Sequence, residues 1–224
     1  MATSYQIKTA DPKELQNFKE LSATWWDENG DAKPLHSMNK VRIELIKDGG
    51  ILSEALAQLG CTVTGIDLCE ELITTAKTHA ELNPTLENLT YLHESIEEHN
   101  IKNSEKYDVI VASEVIDHVK NPFVFLQACV KCLKPGGSIF VTTFNKTLLS
   151  WLAIIIVVEY IWGLLPRGTH SWNKFISPND VSRMLEQCAC ETKRVRGMAY
   201  NVLTNSWFWS RITSVTYALH AVKK

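Results

Sequence analysis

Four short apolar segments, separated by stretches with helical character, constrain the fold of this chain more than any other feature. They span residues 61–67, 89–95, 107–114 and 138–144 and are rich in Val, Ile, Leu, Thr and Phe. Helices are predicted around them over residues 51–59, 70–82, 122–133 and 178–185. This alternation predicts an α/β fold with a mostly parallel sheet covered on both faces. The alternating residues 214–224 add an antiparallel C-terminal strand.

Length and composition limit the kinds of protein this can be. A chain of 224 residues with 45% hydrophobic residues suits a single domain, residues 1–224, with a full core. The net charge of −2 gives no reason to expect a nucleic-acid partner. The six cysteines are expected to be reduced thiols. Cys129 and Cys132 should lie one turn apart on a helix, without the second pair that a zinc ribbon needs.

One segment departs from the α/β pattern. Residues 148–165 are almost entirely apolar, with only Ser150 and Glu159 plainly polar. A bilayer-spanning helix takes about 20 such residues, and Glu159 argues against a span. We expect an insertion, residues 148–176, that lies on a membrane surface or covers an apolar substrate. The alternative is a plain buried helix.

The region around the first helix resembles half of a nucleotide site. Asp67 ends a strand, where an acid commonly hydrogen-bonds a ribose, although a capping aspartate would look the same. Gly49 and Gly50 precede a helix, where backbone N–H groups are free to bind a ligand. No complete G-x-G-x-x-G motif is present, which disfavours a dinucleotide oxidoreductase.

A cluster of polar side chains follows the strand at 107–114. Glu114, Asp117 and His118 are spaced so that one helical turn would point all three the same way. Two carboxylates and an imidazole suit Mg²⁺ or a similar cation. His118 could instead act as a general base, with His170 as a second candidate. A solvated polar turn, with His118 packed beneath a substrate, is the structural alternative.

Several motifs together resemble one enzyme family. The run YDVIVASEVIDHV and the following LKPGG strand turn resemble class I S-adenosylmethionine-dependent methyltransferases. The resemblance narrows to the ubiquinone-biosynthesis O-methyltransferases, and the motifs follow in order along nearly the whole chain. They are ATWWDENGDAKPLHSMNKVR, GGILSEALAQLG, ASEVIDHV, LKPGGSIFVTTFNKTLLSW, LPRGTHSWNKFISP and GMAYN.

The resemblance implies a reaction, its cofactors and its setting. The methyl group of S-adenosylmethionine would pass to a catechol-type hydroxyl of a polyprenyl dihydroxybenzoate or a demethylubiquinol. Mg²⁺ would be held by Glu114 and His118, with Asp117 beside them. Glu114 and His118 are the expected catalytic residues. The expected cofactor-binding residues are Arg42, Gly49, Gly50, Asp67 and Ser113.

The same resemblance implies where the protein works. Eukaryotic members act on the matrix face of the mitochondrial inner membrane, beside other ubiquinone-biosynthesis proteins. The first 20 residues of this chain show neither a signal peptide nor an Arg-rich transit peptide, so this location rests on the resemblance. The membrane surface and a polyprenylated aromatic substrate are the expected partners.

One stretch departs from the family pattern. The first strand and the first part of its glycine-rich turn are missing, and Ile46, Lys47 and Asp48 precede the two remaining glycines. Residues 41–46 alternate in polarity and are expected to replace the strand, although they could instead continue a helix. Side chains at 46–48 would crowd the cofactor where glycine permits close approach. The alternative function is therefore a membrane-associated scaffold without a cofactor site.

Overall fold

The computed structural model describes most of the chain from residue 53 onward. The described residues are 15–16, 19, 22, 25–27, 36–38, 53–152, 172–201 and 203–224. The possible replacement strand at 41–46 lies outside these ranges, as do Arg42, Gly49, Gly50 and His170.

Helices and strands alternate through the first two thirds of the described chain, and strands dominate its end. The helices are α1 (Ser53–Gln58), α2 (Glu70–Glu81), α3 (Ile96–Lys102), α4 (Pro122–Cys132) and α5 (Pro178–Gln187). The strands are β1 (Val63–Asp67), β2 (Leu89–His93), β3 (Tyr107–Ser113), β4 (Leu133–Phe144), β5 (Cys190–Asn201), β6 (Ser206–Ser210) and β7 (Thr216–Lys223).

The strands form two hydrogen-bonded groups. Strands β1 and β2 pair in parallel, and a five-stranded sheet has the order β3-β4-β7-β5-β6. Within the second sheet β3 and β4 are parallel, whereas β7, β5 and β6 join by antiparallel pairing. The predicted α/β class and the antiparallel C-terminal strand are confirmed. Across the described ranges no strand joins β1 to β3, which is where the family's first strand is expected.

The main core lies on one face of the five-stranded sheet. Helices α4 and α5 pack there, and their apolar side chains interdigitate with those of β4 and β7. The fully buried members include Leu126, Ile139, Leu185, Tyr217 and Leu219. Burial of this apolar surface is the main stabilising term for this half of the fold.

Helix α3 connects the two groups of strands. Its His99 is only 4% exposed and contacts the Glu94 carboxylate, which follows β2, at 2.5 Å. The other ring nitrogen of His99 lies 2.7 Å from the hydroxyl of Tyr107, the first residue of β3. Ile96 of the same helix packs against the main core. A buried polar chain and an apolar contact therefore tie β2 to β3.

The helix starts follow from local sequence. Ser95 and Glu98 form a capping box at α3, in which each side chain bonds the other's backbone N–H. Asn121 and Ser177 cap α4 and α5, and each is followed by proline at the first helical position. Sequence patterns predicted α4 and α5 to within two residues. Helix α3 was not predicted, although its capping box was visible in the sequence.

The start of the apolar segment is exposed. Residues Leu148–Ser150 form a single helical turn, capped by the Thr147 hydroxyl. Leu148 is 77% exposed, and Leu149, Trp151 and Leu152 are also exposed. No helix in the described ranges is both long and apolar enough to cross a membrane. Residues 153–171, which make up most of the segment, lie outside those ranges.

The cysteines are all free thiols, as expected. Cys129 and Cys132 lie on α4 and are buried in the core beneath the sheet. Burial raises the pKa of the Cys129 thiol well above its usual range and that of Cys132 to about 11. Both thiols therefore stay protonated at neutral pH and act as apolar packing groups.

Candidate active site

The turn after β3 holds most of the predicted site. Strand β3 ends at Ser113, and Glu114 adopts the left-handed backbone conformation with φ of 54°. A non-glycine residue in this region costs about 1–2 kcal/mol and is often found at functional sites. The Glu114 N–H donates to the Thr142 carbonyl at 2.9 Å, and the His118 N–H closes a tight turn on Val115.

The turn is not the regular helical turn that the spacing suggested. The positive φ of Glu114 lies outside the right-handed helical region, so the i, i+3, i+4 rule does not apply to Glu114, Asp117 and His118. The three residues share one turn, but their side chains are directed by contacts with β4.

Two consecutive threonines on β4 bond the two carboxylates of the turn. The Thr142 hydroxyl donates to Glu114 Oε1 at 2.6 Å, and the Ser113 hydroxyl lies 2.7 Å from the same Thr142 oxygen. The Thr143 hydroxyl donates to Asp117 Oδ1 at 3.0 Å. Neighbouring residues of a strand point to opposite faces of the sheet. Thr142 and Thr143 therefore hold the turn from both faces.

His118 sits beside the second carboxylate. Its Nε2 lies 3.6 Å from Asp117 Oδ2, and its side chain keeps 14% exposure whereas that of Asp117 keeps only 2%. The Asp117 side chain is thus buried, and His118 is the member of the pair that solvent or a ligand can contact.

The negative charge of the turn acts on the core below it. Burial raises the pKa of Tyr217, and the Asp117 and Glu114 carboxylates raise it further. The phenol therefore remains neutral and donates a hydrogen bond to the Ile176 carbonyl at 3.1 Å. The carboxylates of the turn therefore make the region around the Tyr217 hydroxyl electronegative.

The arrangement does not support the predicted metal site. Among the described residues, no three His, Cys, Asp or Glu side chains come together as ligands for a metal ion. Glu114 and Asp117 have suitable donor chemistry, but one oxygen of each accepts a threonine hydroxyl. As they are arranged, these side chains do not form a three-ligand set for Mg²⁺.

The second candidate region lies at the end of β1. Asp67 is its last residue and is solvent-accessible, and its Oδ1 accepts the Cys69 N–H at 2.7 Å. Partial loss of hydration against the surrounding protein raises the pKa of Asp67. Hydrogen bonds from the backbone of Cys69 and Leu68 and the nearby His93 oppose this shift. A ligand that donates hydrogen bonds to this carboxylate would offset its lost hydration.

Sequence reasoning missed three residues of these regions. Thr142, Thr143 and His93 each lie at or near the carboxyl end of a strand. Polar side chains at the end of an apolar strand are a visible signal in a parallel sheet, since ligands bind at that edge. His93 Nε2 lies 3.1 Å from the Leu68 carbonyl and so joins the ends of β2 and β1.

Solved structures resemble this chain in fold. The possible histamine N-methyltransferase of Thermotoga maritima aligns with 94% of this chain and 100% of its own, at a TM-score of 0.64 and 11% identity. Magnesium protoporphyrin IX methyltransferase of Synechocystis, solved with SAH bound, aligns with 77% of this chain and 68% of its own, at a TM-score of 0.53 and 20% identity. At these identities the likeness shows the fold alone.

Sequence relatives are more specific. Residues 47–192 match the family described as Methyltransferase domain. The mitochondrial ubiquinone biosynthesis O-methyltransferase of Rattus norvegicus is 40% identical, over 96% of this chain and 70% of its own length. Those of Aliivibrio fischeri and Aromatoleum aromaticum are 34% and 37% identical and are covered over 98% and 96% of their lengths.

The length comparison differs between the two groups of relatives. The chain spans 65–70% of the length of the mammalian proteins but nearly all of the bacterial ones. The names of these relatives describe O-methyltransferases and give no support to the scaffold alternative. The matches cover the turn after β3, both threonines and Asp67, and this chain belongs to the ubiquinone biosynthesis O-methyltransferases, a family of S-adenosylmethionine-dependent enzymes.

Proposed function

We propose that this chain transfers the methyl group of S-adenosylmethionine to a catechol-type hydroxyl of a polyprenyl dihydroxybenzoate or demethylubiquinol. The observation that carries the proposal is the Glu114 carboxylate, held by a threonine at the carboxyl end of the sheet. In a doubly wound sheet this edge is where the ligand binds.

The chemistry needs a phenolate and close alignment. A phenol titrates near pH 10, so a base must accept its proton as the oxygen attacks the methyl carbon. We assign that role to Glu114, with His118 as the neighbouring alternative. The sulfonium of the cofactor is already an activated methyl donor, and the protein chiefly supplies proximity and orientation. The negative turn also favours the positively charged sulfonium.

The cofactor would be held at the ends of β1 and β3. Asp67 would accept hydrogen bonds from the ribose hydroxyls, and Ser113 would lie beside the methionine portion. Arg42, Gly49 and Gly50 complete the proposed set and lie outside the described ranges. The internal deletion through the first strand remains a sequence-based prediction of the same kind.

Magnesium is left out of the proposed mechanism. The described residues offer no group of three ligands for a cation, so we derive no step through a metal. Mg²⁺ binding at Glu114, Asp117 and His118 would require the three side chains to rearrange into one ligand set. Assays with and without EDTA measure whether a cation is needed.

The apolar segment supports a membrane setting. Exposed Leu148, Leu149, Trp151 and Leu152 begin it, and exposed aromatic and aliphatic side chains of this kind bind the boundary between headgroups and acyl chains. We propose that residues 148–176 form an insertion, within a single domain of residues 1–224, that meets the polyprenyl tail at the membrane. The mammalian relatives are named mitochondrial. From the family resemblance, we propose that the site of action is the matrix face of the inner membrane, beside other ubiquinone-biosynthesis proteins.

Calorimetric titration with S-adenosylhomocysteine tests the enzyme assignment directly. We expect micromolar binding, because Asp67, Ser113 and the two residual glycines provide both ends of the cofactor site. Methyl transfer from labelled S-adenosylmethionine to a short-chain prenyl dihydroxybenzoate should accompany it. A variant with the missing segment restored from a relative is the control. Binding by the control alone would overturn the proposal and favour the scaffold function.

Membrane attachment is tested with vesicles of phosphatidylcholine and cardiolipin. We expect the combined substitution Leu148→Ser, Leu149→Ser and Leu152→Ser to lower vesicle binding about tenfold or more, since each exposed leucine contributes over 1 kcal/mol when buried in lipid. Leu203→Ser is the matched control, because Leu203 is 97% exposed but lies outside the segment. Equal binding by the triple variant and the wild type would contradict this role.

A further inference from the structure

Strand β6 lies at the edge of the five-stranded sheet and lacks the features that usually protect such an edge. It pairs with β5 on one side, and no strand of the described ranges pairs with its other side. Residues Ser206–Ser210 include neither a charged residue nor proline, and they pair with β5 in an unbroken register. Charges, prolines and bulges are the means by which proteins keep edge strands from pairing with other chains. The outer side of β6 is therefore open to a further strand.

The side chains of this edge divide between the interior and the solvent. Trp207 and Trp209 pack against a small buried cluster on one face of the sheet. Phe208 points to the opposite face, because neighbouring residues of a strand alternate, and it is 52% exposed. Leu203 and Ile212, on either side of the strand, are 97% and 67% exposed. Exposed apolar side chains grouped along one short edge are typical of an interaction surface.

The sequence of β6 is the same when it is read in either direction. It runs Ser-Trp-Phe-Trp-Ser, with Phe208 at its centre. An antiparallel pair of identical strands has a two-fold axis, and a symmetric dimer needs a surface that is complementary to itself. An axis at Phe208 opposes this residue to its own copy and Trp207 to Trp209 of the second copy. Aromatic pairs across neighbouring strands stabilise a sheet.

The residues beside β6 are compatible with the same axis. The two-fold brings the exposed Arg211 beside Asn205 of the second copy, so that the guanidinium meets a neutral amide. The two copies of Arg211 lie at opposite ends of the paired strands, and no like charges oppose each other. The axis also brings Leu203 toward Ile212 of the second copy. Charge and apolar surface therefore both permit pairing of this edge with itself.

We propose that two copies of this chain form a homodimer by antiparallel pairing of their β6 strands about a two-fold axis at Phe208. The two five-stranded sheets then become one continuous sheet. A standard interface uses about 20–30 residues a side, and the ten residues 203–212 supply at most half of that number. The dimer is therefore weak, with a Kd on the order of 10–100 µM. This inference goes beyond the proposed methyl transfer and does not depend on it.

Sedimentation velocity of the full chain, over a concentration series that spans the expected Kd, measures the association. We expect Phe208→Lys to weaken it by about tenfold or more, because two ammonium groups would meet on the axis. Leu82→Lys is the matched control. Leu82 is 78% exposed and follows α2, so the same kind of change is made away from β6. This control should associate like the wild type.

Mixing two variants tests the position of the axis. Phe208→Glu alone should also associate about tenfold more weakly than the wild type, because two carboxylates would meet. An equimolar mixture of Phe208→Lys and Phe208→Glu should associate at least as tightly as the wild type. Only an interface in which position 208 faces its own copy brings the two opposite charges together.

Each result supports or overturns the dimer. A wild type that stays monomeric, an unchanged Phe208→Lys variant, or a mixture that does not associate contradicts it. If Phe208→Lys loses vesicle binding while the wild type is monomeric, the edge contacts a membrane instead. Circular dichroism checks that the variants fold. If Phe208→Lys does not fold, Leu203→Lys tests the same interface and should weaken association several-fold.

Discussion

Replacing Glu114 with glutamine is expected to lower kcat by about 100-fold, because the amide cannot accept the phenol proton. Glutamine has the same length and still offers an oxygen to the Thr142 hydroxyl, so the turn should keep its geometry. Binding of S-adenosylhomocysteine should stay within about twofold of the wild type. Steady-state rates with saturating cofactor, together with calorimetry, separate the two effects.

The chain offers a close control for this substitution. Glu105 also has a positive φ, of 51°, but it is exposed and pairs with Lys223 away from the turn. Glu105→Gln makes the same chemical change in the same backbone conformation and should leave kcat unchanged. If the Glu114→Gln enzyme kept nearly full activity, the assignment of Glu114 as the base would be wrong and His118 would be favoured instead.

Replacing Asp67 with alanine is expected to weaken S-adenosylhomocysteine binding by about 10- to 100-fold, the value of one or two hydrogen bonds to a charged group. Asp67→Asn should give a smaller loss, because its amide oxygen can still accept one hydroxyl. Isothermal calorimetry measures both. Asp108→Asn is the control, since Asp108 is an exposed aspartate near the start of β3 that pairs with Lys134.

Although substitution of Asp67 should weaken cofactor binding, it should not lower the free energy of unfolding. The surrounding protein raises the pKa of Asp67 above its value in the unfolded chain, so the folded state binds its proton more tightly. Ionisation of Asp67 therefore destabilises the folded state. This destabilisation is absent below the pKa of Asp67 in the unfolded chain and is complete once the pH has risen through its pKa in the folded state. Asp67→Asn should therefore unfold at the same or a higher urea concentration at pH 7. A clear loss of stability would indicate that Asp67 serves mainly as a structural cap.

The sequence allowed the strands and helices with strong periodic or capping signals to be predicted. Helices α4 and α5 begin at Asn-Pro and Ser-Pro pairs, where side chain and proline both favour a helix start. Strands β5 and β6 were not predicted. Strand β5 pairs with β7 and strand β6 pairs with β5, and sequence order does not reveal these partners.

The site was only partly visible from sequence. Glu114 and His118 could be chosen because polar residues that follow an apolar strand lie at the ligand edge of the sheet. The relative orientation of their side chains could not be predicted, because it depends on the positive φ at Glu114. It also depends on hydrogen bonds from Thr142 and Thr143, which lie 28 and 26 residues along the chain from the carboxylates they contact. The expected helical turn was wrong for this reason, and the metal prediction that relied on it lost its support.

The division of the strands into β1–β2 and the five-stranded sheet has an energetic consequence. Within the described ranges the two groups share no backbone ladder, and the His99 chain and the Ile96 contact on α3 tie β2 to β3. A cofactor bound to Asp67 on one side and to Ser113 on the other would add a second link. Its binding free energy would then also stabilise the association of the two groups of strands. The cofactor would therefore raise the free energy of unfolding as well as supply the methyl group.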